Sequence, residues 1–82
     1  MEKQINEFTT SDIKIASYLL SQGVSLIGVD RTNKKVGFVF ERSEKITKLI
    51  QNYLSDKALV NPRLLFESFE NLKSVIYGEI RI

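Results

Sequence analysis

The chain has 82 residues, a formal net charge of +2, and neither cysteine nor histidine. Those absences exclude disulfides, thiolate nucleophiles, histidine general bases and cysteine–histidine zinc sites. No apolar run approaches the ~18 residues of a membrane span, and the opening MEKQINEF has no apolar signal-peptide core, so a cytoplasmic setting with no membrane partner is expected.

One domain is expected over residues 1–82, with residues 1–7 as a mobile N-terminus. A composition that is 43% hydrophobic supports a core. A chain this short still buries only about 60–65% of the surface its unfolded form exposes. The first element is a helix in EFTTSDIKIASYLLSQG. Thr9 is its expected N-cap, Asp12 the N3 partner of a capping box, and Phe8 and Ile13 fall where a hydrophobic staple places them. Ile13, Ala16, Leu19 and Leu20 form one apolar stripe, widened by Ile15. Gly23 is the left-handed residue that ends it.

VSLIGVDR and VGFVFE read as two strands of a hairpin around a polar turn at Thr32–Lys35. With Asn33 and Lys34 central, Arg31 faces Val36, Val29 faces Phe38 and Ile27 faces Phe40. That register sends Ile27, Val29, Val36, Phe38 and Phe40 to the core face. In SEKITKLIQNYLSD, Ile46, Leu49, Ile50, Tyr53 and Leu54 follow helical spacing behind an N-cap at Ser43. In LVNPRLLFESFENLKSVIYG, Asn61 caps a third helix and Pro62 takes N1, where a missing N–H costs nothing. Leu65, Phe69, Leu72 and Ile76 are its expected inner stripe, broadened by Phe66 and Val75, with Gly78 as its end. The tail EIRI alternates as a short third strand would. The fold class is therefore α+β in the order α-β-β-α-α, a β-hairpin packed against three helices. A lone hairpin is marginal in water, so the C-terminal tail or a second copy is expected to pair its edge.

Charge is unevenly distributed. Residues 31–48 hold six basic side chains (Arg31, Lys34, Lys35, Arg42, Lys45, Lys48) and two acidic ones (Glu41, Glu44), a net charge of +4. Phosphate contacts supply most nucleic-acid affinity, so these six are the candidate DNA or RNA contacts. The competing explanation is a solvated hairpin tip and helix face, with lysines guarding a sheet edge. Asp30, Glu41, Glu44 and Lys45 invite a metal-nuclease arrangement, but the Glu-x-Lys spacing fails and Asp30 and Glu41 stand far apart along the strand pair. No catalytic residue, metal site or cofactor is assigned. Gly28 and Gly37 share a strand face, which suits the close approach of another backbone or a ligand, or else a bulge or a closely packed helix. Arg63 opposes the dipole of its helix and is expected to pair with Glu67.

Several motifs carry a resemblance. They are Phe8 and Thr10 with Asp12 opening a helix, A-x-Y-L-L-x-x-G from Ala16 to Gly23, V-x-F-V-F-E from Val36 to Glu41, L-I-x-x-Y from Leu49 to Tyr53, and A-L-V-x-P-R-x-x-F-E from Ala58 to Glu67. Over roughly residues 8–77 the chain resembles a family of small single-domain proteins of unknown function found in bacteria and their phages. The resemblance implies a compact stand-alone domain and brings no activity with it. Two non-enzymatic functions stay open. One is a nucleic-acid-binding accessory protein of a phage or mobile element, using the basic hairpin tip and adjacent helix. The other is a protein–protein interaction module, a homodimer or an inhibitor docking on a host protein through the hairpin edge.

Overall fold

A computed structural model describes residues 7–32 and 34–78. In chain order it contains β1 (Glu7–Thr10), α1 (Ile13–Ser21), β2 (Leu26–Asp30), β3 (Gly37–Glu41), α2 (Glu44–Leu54) and α3 (Pro62–Ile76). The class is α+β, and the order gains a leading strand: β-α-β-β-α-α. The sheet runs β1-β3-β2, antiparallel throughout.

β1 corrects the expected start of the chain. Glu7 is a strand residue rather than part of a mobile terminus, and residues 1–6 lie outside the described residues. Thr9 is not a helix cap: it pairs with Val39, and Phe8 pairs with Phe40. Phe8 and two β-branched threonines suit a pleated surface. The cap passes to Asp12, whose carboxylate accepts from the Lys14 amide at 2.9 Å. Thr10 Oγ1 in turn accepts from the Asp12 amide at 3.1 Å, turning the chain from strand to helix. β1 pairs the β3 edge of the hairpin from the N-terminal side, where the tail or a second copy was the expected partner, and β1 and β2 are the edges of the sheet among the described residues. The EIRI tail, residues 79–82, lies outside the described residues.

α1 ends as its glycine requires. Gly23 takes φ +89°, its amide donates to Leu20 O at 3.0 Å, and the Val24 amide donates to Leu19 O at 3.1 Å. These are the two bonds of a Schellman motif. Gly78 likewise adopts φ +79° beyond α3. Ser43 and Asn61 cap α2 and α3 as their sequence positions predict, with Pro62 in the first turn of α3.

The hairpin keeps the expected Val29–Phe38 pair, then departs from it. A β-bulge between Leu26 and Gly28 pairs Leu26, not Ile27, with Phe40. Leu26 therefore packs on the core, while Ile27 is exposed. Asn33 lies outside the described residues, so the central turn pair is not described. The turn opens with Asp30, whose Oδ1 accepts from the Thr32 amide at 2.9 Å and the Thr32 hydroxyl at 2.6 Å.

The core unites Phe38 and Phe40 of the central strand with Ala16 and Leu19 of α1, Ile46 of α2 and Leu72 of α3. α1 packs most extensively on α3. Each contributes one buried serine, Ser17 and Ser68. Small side chains let helix backbones approach, and Ser17 meets its own hydrogen-bonding need by donating to Ile13 O at 2.7 Å. Most of the expected stripe of α3 faces inward, with Leu65 and Ile76 packed against the core, and Phe66 is the member turned outward. Ser68, Leu72 and Val75 are buried, while Phe66 is 66% exposed. Behind the sheet, a Cβ on Gly28 would meet nothing within 4 Å, whereas one on Gly37 would sit 3.0 Å from Thr9 Cγ2. Gly37 thus makes room for the neighbouring strand, not for a helix or a ligand. Among the described residues no helix is long and apolar enough to cross a membrane.

Candidate binding surfaces

The six basic side chains do not converge. Lys34 and Lys35 are exposed beside the hairpin turn, and Arg42, Lys45 and Lys48 follow β3. The five residues of β3 at ~3.3 Å each separate the two groups by roughly 16 Å. Two of the six are also engaged within the fold, and a third lies near a helix end. Arg31 donates through its guanidinium to Val75 O and Ile76 O, the last carbonyls of α3. Arg42 lies over the Phe8 ring, 5.6 Å from its centroid. Lys45 reaches the C-terminal end of α1, where a Cβ placed on Gly23 would stand 3.7 Å from its Nζ. Cations are favoured at both helix ends.

The acidic residues are equally dispersed. Asp30 pairs across the strands with Gly37, while Glu41 sits at the other end of β3 opposite Glu7. Two bonds from Thr32, the hydroxyl's first and then the amide's, hold the Asp30 carboxyl below the usual aspartate value. Among the described residues no group of three potential metal ligands gathers. The expected Arg63–Glu67 ion pair does not form. The ion pair found among the described residues joins Lys73 to Glu70 at 3.9 Å.

What the structure does gather lies elsewhere. A pocket of about 490 Å³ opens between α1, the α2–α3 connection and α3. Its walls include Tyr18 of α1 and Tyr53 of α2, whose rings lie 5.5 Å apart and tilted by 37°. Ala58 and Val60 of the connection and Leu65, Phe66 and Phe69 of α3 supply the rest of its apolar surface. Three polar groups join them: Ser17, Lys14 of α1 and Glu70 of α3. A hydrogen bond ties the connection to α1, Gln22 Nε2 donating to Leu59 O at 3.1 Å. Leu59 is 87% exposed, between the pocket residues Ala58 and Val60.

Helical spacing alone assigned Phe66 and Phe69 to the core, so the pocket was not expected. One sequence signal pointed to it. Between Leu64 and Ile76, α3 carries seven apolar residues, more than the single ~100° stripe of a one-sided helix accommodates. The surplus had to face outward somewhere.

Residues 5–78 match the family described as a domain of unknown function, DUF5659. The chain belongs to that family. No curated protein and no solved structure matches it.

Proposed function

We propose that the chain is a non-enzymatic protein-interaction module whose working surface is the pocket face of α1, the α2–α3 connection and α3. The observation that carries this is the open apolar pocket with Phe66 two-thirds exposed at its wall. Burying a side chain such as Phe or Leu contributes about 1.5–3 kcal/mol, and Phe66, Leu59 and Leu64 forgo much of that in the isolated chain. Apolar exposure at the wall of a pocket is a mark of contact surfaces. At ~30 Å³ per water, the pocket's 490 Å³ matches about sixteen non-hydrogen atoms, more than one side chain. The lining offers no nucleophile–base pair: its serine hydroxyl donates to the Ile13 carbonyl, and the sequence contains no histidine or cysteine. The nucleic-acid reading keeps Lys34, Lys35, Lys45 and Lys48, since Arg31 and Arg42 have contacts inside the fold.

A photo-crosslinking side chain, placed at Phe66 in one variant and at Lys34 in another, tests the assignment in cells. Protein adducts are expected at position 66, and Ala58→Trp, which fills the pocket, should abolish them. Adducts confined to position 34, carrying nucleic acid and matched by salt-dependent gel shifts of the purified chain, would overturn it.

A further inference from the structure

We infer that the pocket's occupant is the Phe66 side chain of a second copy of this chain, two copies meeting face to face about a two-fold axis. This rests on the interaction-module function proposed above and names the partner. An isologous contact requires a face complementary to itself, so that each residue's partner reciprocates. The pocket face has that property in shape. A protruding Phe66, 66% exposed, stands directly beside the hollow it helps to line. A knob next to a hole becomes two reciprocal insertions when a two-fold axis passes between them. The hollow, at about 490 Å³, has room for the ring together with a neighbouring side chain such as Leu59.

The face has the same property in charge. Lys14 and Glu70 both border the pocket, so the rim carries one charge of each sign. The rim therefore carries no net charge, and two copies of it bring no net repulsion. A strongly acidic or basic partner would instead place one rim residue against its own sign. Size adds a reason: 82 residues form a small core, and sharing apolar surface with a copy supplements it. At the hairpin, β1 pairs the β3 side, and β2 remains an edge strand among the described residues.

Sedimentation equilibrium of the full chain, from about 1 to 200 µM to span weak and moderate dissociation constants, should show the monomer giving way to a dimer. Phe66→Ala removes the knob from an exposed position, leaving the fold intact by circular dichroism. Ala58→Trp fills the hole from the connecting loop. Each variant alone should dimerise at least about thirtyfold more weakly, the scale of a buried aromatic anchor. Mixing them should restore association in a 1:1 species, because the Phe66 of one variant finds the open pocket of the other. A wild-type chain that stays monomeric at the highest concentration overturns the inference, as do variants that dimerise unimpaired or a mixture that fails to associate. If the wild type is monomeric while the crosslinker at position 66 captures a different protein, the interaction module stands and self-association falls. If position 66 captures nothing, both fall.

Discussion

Replacing Arg31 with alanine separates its structural role from any role at a nucleic-acid surface. Its guanidinium donates to Val75 O and to Ile76 O, the second at 3.4 Å. The bond to Val75 dominates, since the other is long. A hydrogen bond from a charged donor contributes about 1.5–3 kcal/mol when enclosed. Arg31 is largely exposed, which reduces that toward about 1 kcal/mol. Its charge at the negative end of α3 adds ~0.3–1 kcal/mol. The sum is about 1.5 kcal/mol. For a domain of this size each kcal/mol corresponds to ~4–8 °C, so thermal unfolding followed at 222 nm should shift down by roughly 6–12 °C. Amides in the last turn of α3 should lose hydrogen-exchange protection with it. Arg31→Lys should recover only part, because an ammonium does not present the fixed fork that reaches two carbonyls. Lys34→Ala and Lys35→Ala are the controls, each expected within about 0.5 kcal/mol of wild type. An Arg31→Ala protein that melts with these controls would refute the clamp.

Asp56 holds φ 62° at the end of α2, where the Lys57 amide donates to Asn52 O at 2.8 Å and the Asp56 amide to Tyr53 O. Glycine is free of the left-handed penalty there, so Asp56→Gly should raise the melting temperature by a few degrees, about 0.5 kcal/mol, and a fall would show that the aspartate makes a compensating contact. Gly28→Ala should be neutral or stabilising by about 0.5 kcal/mol, since its side of the strand is open. Gly37→Ala should destabilise through its 3.0 Å approach to Thr9 Cγ2, and Thr9→Ser should relieve it; the reverse ranking of the two glycines would contradict β1 lying beside β3. Asp30 should titrate below 3.8 by NMR, and Thr32→Ala should move it back up. Because its folded pKa is the lower one, its contribution to stability is present above the unfolded value and lost as pH falls through the folded one. A midpoint unchanged by Thr32→Ala would remove the turn as the cause.

Legibility in the sequence followed the range of the interactions. Gly23, Ser43, Asn61, Pro62 and Gly78 act through bonds to residues a few positions away, and each was readable where it stands. β1 was not, because Phe8, Thr9, Thr10 and Asp12 fit a helix cap as well as a strand. The choice is made by Phe40 and Val39, some thirty residues on. The bulge that exchanges Leu26 for Ile27 is set by pairing with β3 in the same way. On α3, two apolar rows compete. The winner is decided by α1, which sets its own buried Ser17 on the helix that packs against Ser68. That choice pushes Phe66 out, and the pocket follows from it. The basic residues show the opposite case: six positions close in sequence are divided by the strand between them.

The positive charge of residues 31–48 thus divides by task. α1 has no basic residue in its last turn, and Lys45 of α2 reaches that end across the fold. α3 receives Arg31 from the hairpin tip in addition to its own Lys73. Each cation offsets a helix terminus that its own sequence leaves partly uncompensated, so folding accounts for both without any ligand. Arg42, stacked on Phe8, ties β1 to the chain beyond β3. Phe66 is turned outward by the choice of α3 face that buries Ser68, Leu72 and Val75, and it stands at the wall of the apolar pocket. It is one of several large apolar side chains left exposed, with Leu54, Leu59 and Tyr77, and it is the one of these four that lines the pocket.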